Sequence, residues 1–196
     1  MRNPQLTRDI IINESADLFN TKGYKATSLS DITTATGFTK GAIYKHFKNK
    51  EDLEQQALRS LSKRMFDILN ADLKNATDFS SKMNVIFNFF EKYLDNPPYS
   101  GGCPLMNSAC ESDDLDAGLR QQSFGMLVTF KTTIKRIFDS AIKKEQIKPI
   151  DSDQLTTVFI ATLEGAIMMS KLERKNDALN TCISYLKFII TDLIKK

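Results

Sequence analysis

The residues that could break or make bonds are few, and their spacing does not suit catalysis. His46 is the only histidine, so neither a histidine-based metal cluster nor a histidine-assisted nucleophile has the partners it needs. The chain has no glycine-rich phosphate loop and no paired metal motif, so no cofactor, no metal and no enzymatic activity are expected. Cys103 as a nucleophile is the remaining catalytic alternative. The other cysteines are Cys110 and Cys182, and three is an odd count that makes no disulfide framework and suits a reducing compartment. What the sequence offers instead is a cluster of phosphate donors. Thr39 supplies a hydroxyl and Lys40 a cation, and Gly41 removes side-chain bulk. Tyr44, Lys45 and His46 follow a turn later, with Lys48 and Lys50 beyond, and Thr27 and Ser28 precede them. Phenol, ammonium and imidazole groups all donate to phosphate oxygens, which sets affinity and register without reading bases.

Net charge is distributed unevenly. The 196 residues carry 27 Lys and Arg against 24 Asp and Glu, for a total of +3. Residues 1–50 hold eight basic and four acidic side chains, or +4, and the remaining 146 residues come to −1. That asymmetry is expected of a chain whose first quarter meets a polyanion, although a merely solvated basic face has the same signature. The apolar content of 41% supports a core and excludes a disordered chain. The N-terminal residues lack the long apolar run of a secretory leader, which points to a cytoplasmic location.

Helices must position these groups, because apolar spacing follows the 3.6-residue period almost throughout. The spacing predicts an all-α chain with helices over 5–22, 50–70, 79–94, 104–111 and about 115–144, and a loop over 96–102. Gly23 is expected to end the first helix in the left-handed conformation. Asp151 to Gln154 resembles a capping box that starts the next helix. From Thr156 to Ser170 apolar residues fall on every side, and a helix of that kind must be covered all round. Those 15 residues fall short of the roughly 20 that span a bilayer, so protein and not membrane is expected to cover them. Residues 178–194 are similarly broad, so the last two helices, about 152–172 and 178–194, are expected to form a homodimer contact. The alternative is two central helices of a monomeric bundle.

The sharpest local pattern lies at residues 27–47. Thr27 or Ser28 can cap a short helix to Thr36, Gly37 turns the chain, and Thr39 caps a second helix with Phe38 and Ile43 as a hydrophobic staple. Two short helices joined by a three-residue glycine turn make a helix-turn-helix, whose second helix enters the DNA major groove. Gly41 fits that role, since glycine within a helix costs about 1 kcal/mol relative to alanine. Its alternative is a helix-start glycine with no role.

The pattern resembles the TetR (tetracycline-repressor-like) family of transcriptional regulators. The resemblance rests on Ala16 and Phe19, Gly23-Tyr24, Thr27, Ile32, Ala35, Gly37-Phe38-Thr39-Lys40-Gly41, Ile43-Tyr44, His46-Phe47 and Lys50-Glu51-Asp52-Leu53. Thr36 and Phe38 depart from the Ala and Val usual there. The resemblance implies an N-terminal three-helix DNA-binding domain over 1–50 and a larger effector-binding and dimerisation domain over 51–196, about nine helices in all. It further implies a dimer on a palindromic double-stranded DNA operator, released when a small-molecule effector binds. Gly102-Cys103 through Asn107 to Glu111 resembles a segment of one subgroup, which places it at the effector cavity. Phe87, Phe90, Met106, Phe124, Phe130, Phe159 and Met168 are candidate apolar lining, with ordinary core as the alternative. Asn107 and Glu164 are candidate polar handles, although capping or a contact across the dimer would explain them equally well. Cys103 is either an electrophile sensor or a small apolar lining residue. A protein–protein adaptor that keeps the helix-turn-helix as scaffold is the alternative function.

Overall fold

The computed structural model describes residues 3–93, 99–112 and 117–195. Among them are nine helices and no strand, apart from an isolated antiparallel bridge between Ile147 and Ile194. The helices are α1 (Pro4–Lys22), α2 (Leu29–Thr36), α3 (Lys40–Ile43), α4 (Lys50–Leu73), α5 (Phe79–Glu91), α6 (Pro104–Glu111), α7 (Ala117–Lys143), α8 (Ser152–Glu173) and α9 (Asp177–Leu193). Leu94 of the predicted fifth helix, residues 96–98 of the predicted loop and the predicted helix start at Leu115 lie outside the described residues.

The caps explain where the helices begin. Asn3 accepts from the Gln5 N–H at 3.0 Å, with Pro4 in the first turn of α1. Asn49 accepts from the Asp52 N–H at 2.9 Å at the start of α4. Asp151 accepts from the Asp153 and Gln154 N–H groups at 3.0 and 2.9 Å at the start of α8. Gly23 does have a positive φ of 98°, but its ψ of 154° is extended and not left-handed helical. A turn over 24–26 follows, closed by the Thr27 N–H donating to the Gly23 carbonyl at 3.1 Å.

The helices form two compact units, Met1–Met65 with Pro98–Leu127, and Phe66–Pro97 with Val128–Lys196. In the first unit, α2 and α6 both pack on α1. Its core includes Ile11, Ala16, Phe19, Ile32, Ile43, Phe47, Leu53 and Leu61, each at most 2% exposed. In the second unit, α9 packs on α5 and α8 around stacked rings. Phe90 meets Phe130 at 5.8 Å between centroids, and Phe87 meets Phe159 at 5.7 Å. Offset and tilted ring pairs of this kind add about 0.5–1.5 kcal/mol each beyond area burial.

Within the chain, α8 is covered on one side only. Phe159, Ile160, Leu163 and Ile167 are buried, while Val158, Met168, Met169 and Leu172 are exposed. Tyr185 and Phe188 of α9 are exposed as well, and their rings stack on each other at 6.4 Å. At 22 residues, α8 is longer than the apolar run read from the sequence and is, by length and composition alone, long enough to cross a bilayer. Its packing against α9 gives its buried side a protein environment.

Candidate nucleic-acid interface

Local hydrogen bonds fix the two helices at residues 28–43. Ser28 and Asp31 close a reciprocal capping box: the Asp31 N–H donates to Ser28 Oγ at 3.1 Å and the Ser28 N–H donates to Asp31 Oδ2 at 2.7 Å. Lys22 reaches the same carboxylate at 2.7 Å and, with Ser28, holds the Asp31 carboxyl well below the usual carboxylate range. Gly37 ends α2 in the left-handed conformation at φ 68°, where a side chain would be strained, and its N–H donates to the Thr33 carbonyl. Three residues, Gly37 to Thr39, then lead to α3, where Thr39 Oγ1 accepts from the Ala42 N–H at 3.3 Å. Ile32, Phe38, Ile43 and Phe47 point inward and anchor both helices.

That anchoring leaves Thr39, Lys40, Gly41, Tyr44 and Lys45 exposed together, with His46 half-buried beside Phe47. A Cβ on Gly41 would meet no atom of the protein within 4 Å. No described residue therefore requires glycine there, and the free space is available to a partner that approaches the backbone closely.

Two of the expected contact residues are placed otherwise. Thr27 is fully buried, and its hydroxyl donates to the Gly23 carbonyl at 2.6 Å, so it shapes the turn after α1 and faces no solvent. The cap of α2 is Ser28, whose side chain is exposed but engaged by Asp31. Lys50 is turned inward. Its ammonium donates to the Tyr24 carbonyl at 2.7 Å, pairs with Glu54 at 3.0 Å and lies 5.9 Å from the Phe19 ring centre. Sequence reasoning missed Arg8, which lies over the Phe47 ring, bonds Gln56 and, with Arg59 and Lys63, makes a cationic groove between α1 and α4. A basic residue on the same helical face as the buried Ile11 and Ile12 was the available signal.

The candidate effector residues are divided between the two units. Phe87, Phe90, Phe130 and Phe159 lie in the core of the second unit, each at most 1% exposed. Glu164 is half-buried on α8, and Met168 is on its exposed side. Cys103, Met106, Asn107 and Phe124 belong to the first unit. Cys103 is buried at the start of α6, while Phe124 is 64% exposed on α7 and lines a surface groove with Arg120 and Gln121. Asn107 bonds α1, and Met106 is half-buried. The segment 102–111 thus packs on the helix-turn-helix unit, because its polar side chains find partners at the end of α1.

Comparison with known proteins decides the family. Residues 11–57 match the family described as "Bacterial regulatory proteins, tetR family", and residues 80–186, more than half of the chain, match "Tetracyclin repressor-like, C-terminal domain". The chain belongs to the TetR family of transcriptional regulators. A TetR transcriptional regulator from Chloroflexus aurantiacus J-10-FL is 33% identical, covers 99% of this chain and 98% of its own, and superposes with a TM-score of 0.93. A TetR-family regulator from Cytophaga hutchinsonii is 28% identical over 100% of this chain and 98% of its own, with a TM-score of 0.91. Over 88% of this chain and 86% of its own length, the HTH-type transcriptional repressor DhaR of Mycobacterium sp. (strain GP1) is 24% identical. As a TetR-family protein the chain is an all-helical DNA-binding regulator with an N-terminal helix-turn-helix.

Proposed function

We propose that this TetR-family protein is a homodimeric repressor whose α3 residues bind a palindromic operator and which is released by a small apolar or electrophilic effector. The single observation that carries the reading is the exposed set Thr39, Lys40, Gly41, Tyr44 and Lys45 on a fully anchored helix-turn-helix, with open space at Gly41. Residues 1–50 supply the DNA contacts, and residues 51–196 supply effector binding and dimerisation. The exposed apolar side of α8 and α9, with Leu172 at 78% and Phe188 at 70% exposure, supports dimerisation through these two helices. Repression is supported by the likeness to DhaR, which is described as a repressor.

DNA selection with the purified protein tests the reading. It should recover a palindrome with half-sites about 34–36 Å apart, or a multiple of that, bound with steep salt dependence. A non-palindromic or absent consensus would sink the dimeric-repressor model. The electrophile arm fails if wild type and Cys103→Ser release the operator equally on electrophile treatment.

A further inference from the structure

One set of contacts in the first unit is not used by that reading: it joins α6 to the end of α1. The Asn107 amide donates to the Asn20 carbonyl at 3.0 Å, to Asn20 Oδ1 at 3.1 Å and to the Gly101 carbonyl at 3.0 Å. The buried Asn20 amide donates in turn to the Ser100 and Gly102 carbonyls at 2.5 and 3.0 Å. Four residues along the same face of α6, Glu111 Oε2 accepts from the Lys25 N–H at 3.0 Å. Both grips close on glycines with positive φ. A Cβ on Gly101 would overlap the Asn20 carbonyl, and one on Gly23 would stand 2.9 Å from Glu111 Oε1.

The gripped residues, Asn20 to Lys25, are the passage from α1 into α2. Thr27 is tied to the same passage through the Gly23 carbonyl, and Ser28 then caps α2. The position of α2 and α3 on α1 therefore depends on a segment held from outside by two side chains of α6, through bonds to its backbone. Of the atoms that Asn107 and Glu111 bond in that segment, only Asn20 Oδ1 belongs to a side chain.

We propose that Asn107 and Glu111 are positioning residues for DNA reading: their side chains hold the α1–α2 passage in the DNA-competent geometry. The proposal rests on the reading of α2 and α3 as the DNA-reading helices. Coupling of this kind is reciprocal, so bound DNA must in turn steady α6.

Hydrogen exchange on the full chain, free and saturated with the selected operator duplex, tests this. In the wild type, DNA should slow exchange in α2–α3 and also in α6. Asn107→Ala and Glu111→Ala should keep the slowing in α2–α3 and lose it in α6, with operator binding weakened about tenfold. Glu111→Gln keeps an acceptor for the Lys25 N–H and should stay within about threefold of wild type. Slowing in α2–α3 without any in α6 of the wild type overturns the clamp alone, and this arm needs no variant to fold. Slowing in α6 that persists in both alanine variants also overturns it, as does unchanged affinity. No slowing in α2–α3 overturns the DNA-reading assignment beneath it as well.

Discussion

Gly41→Ala should stabilise the free protein and weaken its complex with DNA, two effects of opposite sign from one methyl group. Gly41 is the second residue of α3 and is not among the glycines with positive φ, so alanine fits its backbone. The new Cβ meets no atom within 4 Å, so packing is neither gained nor lost. What remains is the propensity difference, about 1 kcal/mol in a helix interior and nearer 0.5 kcal/mol at the start of so short a helix. For a chain of this size that raises the melting temperature by roughly 1–2 °C. On the DNA side, the methyl adds about 1.5 Å of bulk where Thr39, Lys40 and Tyr44 are exposed together. That displacement stretches phosphate contacts of about 2.8–3.0 Å past hydrogen-bonding range. Losing one or two charge-assisted bonds, each worth about 1.5–3 kcal/mol, raises Kd by roughly 10- to 100-fold or more. Thermal melting and fluorescence-anisotropy titration on the selected operator, at one fixed salt concentration, read the two effects separately. A variant that melts as expected yet binds within about twofold of wild type would refute the close approach at Gly41. A lowered melting temperature would refute the open space around it.

Four further outcomes follow from the same structure. Ser28→Ala removes the cap of α2 and should cost about 1 kcal/mol in urea unfolding, and a loss below a few tenths of that would show that Asp31 alone suffices. Because Asp31 has its carboxyl lowered by Lys22 and Ser28, its contribution is present above the unfolded value of 3.8 and is lost as pH falls below it. Asp31→Asn should therefore flatten the acid limb of stability against pH, and an unchanged limb would count against the Lys22 pairing. Tyr24 has no hydrogen-bond partner for its buried hydroxyl among the described residues, and burial, helped by the charges of Glu111 and Glu54, pushes its phenol up from 10.0. The neutral phenol is thus favoured in the fold, and wild-type stability should fall as pH rises above about 10, whereas Tyr24→Phe should be no less stable at neutral pH and fall less steeply. Leu172→Asp with Phe188→Glu should give a monomer by light scattering and weaken operator binding, and a persistent dimer would place the interface elsewhere.

The helices were legible because their signals are local. Pro104 and Glu111 bound α6 as read, Gly37 turns the chain as read, and Thr39 caps α3 as read, since each feature depends on residues within one turn of it. The exposed donors of α3 were legible for the same reason. Ile43 and Phe47 had to point inward, which left Lys40, Tyr44 and Lys45 outside. Lys50 was misread because its Tyr24 partner lies 26 positions away, and Thr27 because its hydroxyl turns back to the Gly23 carbonyl four residues earlier and is buried there. Thr27 and Ser28 both carry a capping hydroxyl, and only burial against α1 separates the one that shapes a turn from the one that caps. Lys50 carries a charge at the edge of a basic segment, yet Tyr24 and Glu54 claim it.

Asn107 shows most clearly where local reasoning ends. A polar side chain that follows Leu105 and Met106 on a short, part-buried helix requires a partner, and the sequence states that requirement without naming the partner. A ligand and a distant backbone carbonyl satisfy it equally. The carbonyl that does so belongs to Asn20, 87 positions earlier, and the Lys25 N–H that meets Glu111 lies 86 positions earlier. Two side chains spaced four apart thus reach two points of one passage between helices, a correspondence that only the folded chain reveals. Once it is visible, the motif from Gly102 to Glu111 changes meaning. Its asparagine and glutamate act on the passage into the reading head directly, and of the residues between them Ser108 is buried and bonded by Ser123 while Ala109 and Cys110 are exposed. Glu111→Gln then has a definite expectation, retention of operator affinity. A glutamate that served only as a charge in an effector cavity would predict no dependence of DNA affinity on Glu111→Ala either. The two substitutions together therefore separate a clamp from a lining residue.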